Sequence, residues 1–242
     1  MDIHDKRITA LISALADSDK TKIRAAVDAL VALAADSAGV RAALEQRLNG
    51  PHGQNHWTLA YVLGHLSQPS GPVIQMLLDA LDHADPEIRW AIAVLLVRLG
   101  KSDAAVVGRL LDLCATGTPT ERRMAVYCVR DLELSDKLSL ESLLNALQDP
   151  EPMVRVAAVT SLKARTDVDE NGRGVLLDLF LRDRDVRVRS VAAITLAVLG
   201  SPSEKFLAAL DDAAASDHAQ IKKAAFAALS LLHNKRPAPS GS

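Results

Sequence analysis

One segment, Asp85 to Gly100, recurs in variant form along the whole chain, and a chain written that way need not close around a single central core. It opens with Asp85-Pro86, a helix N-cap followed by a proline at the first helical position, where the missing N–H has no partner to lose. Apolar residues then fall at Ile88, Ala91, Ile92, Leu95, Leu96 and Leu99, the three-and-four spacing of one buried helical face. Gly100 closes it, as glycine does at many helix ends. Asp149-Pro150-Glu151-Pro152-Met153-Val154-Arg155 repeats the opening, as do Asp185 to Gly200, Asp217 to Leu232 and Asp19 to Ala26. His56 to Ser67 falls one period before Arg89-Trp90, and Arg122 to Leu132 one period after. Seven copies result, about 32–34 residues apart, a spacing that signals a repeat array.

Each copy carries a second amphipathic stretch ahead of this one, so the unit is a helix pair, A then B, joined by short turns. The B helices are predicted near 20–35, 54–67, 86–99, 119–132, 150–165, 186–199 and 218–233. Thr118-Pro119-Thr120-Glu121 and Ser201-Pro202-Ser203-Glu204 read as capping boxes. No stretch alternates as a strand does. The expected fold is all-α, an α-solenoid of about seven helical pairs over residues 1–234, with a Pro- and Ser-rich tail at 235–242 expected to be disordered.

The Asp or Asp-Pro turn, then Val or Ile, Arg, Ala-Ala and Leu, resembles the HEAT repeats, in particular the short bacterial type found in phycobilisome-lyase-like proteins. The resemblance covers nearly all of residues 5–233; repeats two and four depart most, repeat two with Asn55 and His56 in place of the Asp and Arg. It implies a helical array whose B helices line a concave, partner-binding surface.

Alanine and leucine carry the burial in a chain that is 49% hydrophobic but only 3% aromatic. A net charge of −2 argues against non-specific binding to nucleic acid or an anionic membrane. No apolar run is long enough to span a bilayer. The first seven residues lack the apolar core of a secretion signal. Cys114 and Cys128 read as small packing residues, and the simplest setting is the reduced cytoplasm.

Two columns of polar residues recur. Asp19, Asp85, Asp149, Asp185 and Asp217 read as helix caps, and Arg24, Arg89, Arg155 and Arg189, with Arg122 or Arg123 and Lys222, as forks reaching a neighbouring carboxylate or carbonyl. The residues these roles leave over give the partner-binding candidates. Trp57 and Trp90 align at one repeat position, Tyr61 lies one turn after Trp57, and Tyr127 stands near Met124 on the next B helix. With His56, Arg89, Arg123 and Arg130 alongside, they have the composition of an interface hot spot. The competing reading is that the rings fill gaps between helices.

Catalytic patterns are sparse. His52, His56 and His65 lack the spacing and companions of a zinc site. Asp167 to Gly172 resembles the start of a calcium loop, but Asp178 stands where a glutamate belongs and Gly174 where an apolar residue does, so an ordinary turn is favoured. No His-Glu dipeptide of the deoxyhypusine hydroxylase kind occurs. The expectation is a non-catalytic scaffold for a protein partner, without cofactor or metal. The alternative is a HEAT-like enzyme or accessory, chromophore-lyase-like or DNA-glycosylase-like.

Overall fold

The computed structural model describes residues 3–48, 50, 56–66 and 68–235. The helices follow one another as α1 (Ile3–Ala14), α2 (Lys20–Asp36), α3 (Ala38–Leu48), α4 (His56–Gly64), α5 (Gly71–Asp79, prolonged by a 3-10 turn at Ala80–Asp82), α6 (Pro86–Gly100) and α7 (Ala104–Thr116). Then come α8 (Pro119–Asp131), α9 (Lys137–Ala146), α10 (Pro152–Leu162), α11 (Glu170–Arg182), α12 (Val186–Leu199), α13 (Glu204–Ala214) and α14 (Ala219–Lys235). No strand occurs among the described residues, and the even-numbered helices are the B helices of the sequence repeat. Lys235, predicted to begin the tail, ends α14, and the rest of the predicted tail, 236–242, lies outside the described residues. The chain divides into two compact units, Met1–Gly108 and Arg109–Ser242.

Each unit buries the apolar stripe its sequence spells out. In the first, Leu30, Leu44, Leu63, Leu77, Ile92 and Leu96 are sealed from solvent; in the second, Leu110, Met124, Leu143, Val159, Leu176 and Phe180 are. Stability therefore accrues along neighbouring helices, without one common centre.

The caps and forks explain the turns, with corrections to the register. Asp85 caps α6 by accepting from the Glu87 N–H at 2.9 Å. Thr118 and Glu121 form the reciprocal capping box of α8. Ser201-Pro202 does not open α13: Ser203 is its cap, accepting from the Phe206 N–H at 3.2 Å. The cap of α10 is Glu151, not Asp149. Asp149 stands two residues earlier and accepts the Glu151 N–H, as Asp183 accepts that of Asp185. At α14, Lys222 donates its backbone N–H to His218, so His218 and not Asp217 holds the cap register. In α2 the residue bonded back to Asp19 is Ile23, which displaces Arg24 from the arginine column. In α8 it is Arg122, not Arg123.

These turn carboxylates are what the arginines reach. Arg122 Nε and Nη2 donate to Asp149 at 2.7 and 2.8 Å, and Nη1 donates to its own turn at Gly117 O. Arg155 does the same one repeat on, with both bonds to Asp183 at 2.7 Å. Arg189 breaks the series. It donates Nε to Phe180 O at 3.0 Å, and the residue in the acceptor register is Ser216, which takes the His218 N–H as an aspartate would. Ser216→Asp is expected to extend the ladder by one pair, raising stability by about 0.5–1.5 kcal/mol in urea denaturation.

A second local prediction concerns Glu133, which follows the C-cap of α8 with φ +53°. Left-handed backbone costs a residue with a Cβ. Glu133→Gly is expected to add about 0.5 kcal/mol, measured by the same unfolding curves.

Candidate functional site

Residues four apart on a helix stand in a row, and on α4 and the turn that directly follows it that row is Trp57, Tyr61 and His65. The opposite face, Leu59, Val62, Leu63 and Leu66, is buried in the core. The aromatic row is half-buried and floors a groove of about 440 Å³. α2 forms one wall through Ile23, Val27 and Val31, and α6 forms the other through Ile88 and Ala91. One end is tied by Lys20, whose Nζ lies 2.7 Å from Asp85 and 2.6 Å from Glu87.

The floor is stiffened by ring contacts. Trp57 meets His83 edge-on with centroids 5.5 Å apart, and Tyr61 meets His65 at 4.8 Å. His83 is fixed in turn, because its Nδ1 accepts the Asp85 N–H at 3.0 Å. Trp57 Nε1 and His65 Nε2 are buried without a hydrogen-bond partner. Such groups are uncommon in a settled core and cost about 1–3 kcal/mol each.

Burial, and then the neighbouring Arg98 charge, hold the His65 imidazole below its ordinary pKa, with Asp28 opposing. Burial also raises the Tyr61 phenol. For His65 the unfolded chain binds the proton more readily than the folded one. Its contribution to stability is therefore full above an ordinary histidine pKa of about 6.5 and is lost as the pH falls through the lowered folded value. Melting temperatures between pH 7 and 5 should fall, and His65→Gln should flatten that slope.

The other residues singled out from sequence have separate fates. His56 opens α4, half-buried. Trp90 is 43% exposed and shares an outward face of α6 with Val94, 67% exposed. Arg89 is engaged at its own turn, Nη1 donating to His83 O and Ala84 O at 2.6 and 2.9 Å. In the second unit Met124 is a correction: at 2% exposure it belongs to the core, because it sits on the apolar stripe of α8. Arg123 is half-buried with its Nε sealed in, and Tyr127 lies under the Arg130 guanidinium at 4.9 Å. Arg130 is further paired with Asp131 at 2.7 Å.

Sequence reasoning missed Ile23, Val27, Asp28, Val31 and His65 as site residues. The signal was available in the α2 positions 20, 23/24, 28 and 31, which border its core residues Ala26, Val27, Leu30 and Ala34.

The chemistry weighed from sequence finds little purchase. Asp169 caps α11, accepting from Gly172 N–H at 2.8 Å, and Asp167 pairs with Arg165 at 2.6 Å, so these two acids of the calcium-like loop are engaged. His52 lies outside the described residues. Burial pushes the Cys114 thiol up to about 11 and the Cys128 thiol higher still, away from the thiolate form a nucleophile needs.

Helix pairs repeated in register, with short capped turns and inter-repeat arginine forks, define an α-solenoid. The HEAT-repeat sequence profile matches residues 41–130 and 133–230, and the chain belongs to the HEAT-repeat family. Among solved structures it is similar to YibA of E. coli, at 14% identity over 97% of this chain and 93% of that one, with a TM-score of 0.57. Human deoxyhypusine hydroxylase in complex with glycerol matches at 18% identity over 96% and 98% of the two chains, with a TM-score of 0.44. A designed armadillo repeat protein matches at 18% identity over 78% and 98%, also with a TM-score of 0.44. No curated protein sequence matches the chain. None of the described helices is long and apolar enough to cross a membrane.

Proposed function

We propose that this HEAT array, of the short type resembling phycobilisome-lyase-like proteins, is a cytoplasmic scaffold without catalytic activity or cofactor that binds a protein partner on its B-helix face. The observation that carries the reading is the groove between α2, α4 and α6. Three consecutive B helices present an aromatic floor and aliphatic walls to solvent there. Apolar surface held open this way marks an interaction site, and Trp and Tyr are the residues that anchor one. A photoreactive amino acid placed at Val31 in the groove should capture a discrete protein in the native lysate. The same probe at Ala43, exposed on α3, should not. Equal capture from both positions, or none from Val31, refutes the reading.

The second reading, a chromophore-handling accessory, draws on the same groove, whose volume lies in the range of small-ligand sites. An absorbance shift on mixing the full chain with a linear tetrapyrrole would favour it. The DNA-glycosylase alternative has less support: the groove sets the acids Asp28 and Glu87 against the bases Lys20 and Arg24, and a cleft for nucleic acid needs a basic excess.

A further inference from the structure

Taking the scaffold reading as its basis, we infer that the groove receives an amphipathic helix of the partner, about three turns long, carrying an acid and a base one turn apart along the edge that meets α2. The length follows from the wall. The groove runs along α2 from Lys20 to Ala32, about 18 Å at the helical rise of 1.5 Å per residue.

The helical form follows from the chemistry of the lining. Ile23, Val27, Ile88 and Ala91 offer a ligand backbone nothing to bond to. The two unpaired nitrogens of the floor, on Trp57 and His65, are sealed beneath the surface. An extended peptide would bring N–H and C=O groups on both its edges against these walls and leave them dry and unpaired. No strand among the described residues offers an edge for it to join. A helix bonds its own backbone and presents only side chains, the peptide form that this mainly apolar surface accepts at least cost.

The charge pattern follows from what the fold leaves unpaired. Lys20 is spent on Asp85 and Glu87. Arg24 and Asp28 stand four residues apart on the α2 wall, both exposed, and both act electrostatically on Tyr61 at the floor. Among the described residues neither is in a salt bridge. A carboxylate of the occupant meets Arg24 and a cation meets Asp28; either charge alone would leave the other wall residue unmatched or opposed.

The test selects from a phage-displayed library of three-turn peptides, randomised at every position, against the full chain. Enriched sequences should show an apolar i, i+3/i+4, i+7 stripe with an acid and a base one turn apart. A synthetic winner should change the Trp57 emission. It should bind about tenfold more weakly to R24E/D28R, and a winner with acid and base exchanged should recover that loss on the same variant. Ala91→Arg, placed in the wall, should block both, with helix content unchanged by circular dichroism.

Winners that ignore the R24E/D28R swap, winners rich in proline, or binding that survives Ala91→Arg each overturn the inference. Self-association of the chain that Ala91→Arg abolishes makes the occupant a second copy and overturns it too. If no helix enriches while the Val31 probe still captures a protein, the helix falls and the scaffold reading stands.

Discussion

An Arg155→Ala variant is expected to lose about 3–4 kcal/mol of stability in urea denaturation. The reason is the state in which it leaves its partner. Asp183 is only 4% exposed and takes two bonds from the guanidinium at 2.7 Å. The third arginine nitrogen holds the turn carbonyls of Asp149 and Pro150 at 2.8 and 3.0 Å. Truncation strands a buried carboxylate and two carbonyls together. Asp183→Ala should cost a comparable amount, and the double variant clearly less than the sum, because the second change removes the charge the first left unpaired. Arg155→Lys should recover only part, since one ammonium cannot serve both carboxylate oxygens and two carbonyls. Lys137→Ala is the control: its pair with Glu141 is 87% and 48% exposed and should be worth under about 0.5 kcal/mol. If Arg155→Ala behaves like Lys137→Ala, the ladder is ornamental and the repeats are held by apolar packing alone.

The period, helix type and apolar faces were legible because each is a local pattern repeated several times, and a repeat cannot bury its face without its neighbours. The registers inside the turns were not. Asp149 and Asp85 both precede a proline, yet they hold different posts, because Glu151-Pro152 supplies a second Xaa-Pro step and α10 starts there. Arg24 looked like a column member because Ile23-Arg24 imitates Ile88-Arg89, but the backbone of α2 starts one residue earlier relative to that pair. The site was legible in part. Trp57 and Tyr61 are where an aromatic patch was expected, while Trp90 faces outward on α6 and Met124 is interior. A helix pattern tells which residues are surplus to its own core. It does not tell which surplus face a neighbouring helix will border, and the α2 wall exists only through that proximity.

Phe180→Ala should be the most damaging core change, costing about 3–5 kcal/mol. The ring is 1% exposed, the largest fully buried side chain described, and meets Phe206 of α13 edge-on at 5.9 Å. Its loss opens a cavity and removes an aromatic pair worth about 0.5–1.5 kcal/mol beyond area. Phe180→Leu keeps most of the volume and should cost far less. Where the damage appears is the sharper expectation. In a solenoid each repeat leans on its immediate neighbours, so hydrogen exchange should quicken in α11 to α14 and stay unchanged in α2 and α4. Because the groove is built in the other unit, probe capture at Val31 should survive Phe180→Ala. If protection fell equally along the chain, stability would be global rather than additive, and separating the groove from the Arg–Asp ladder by mutation would not be possible.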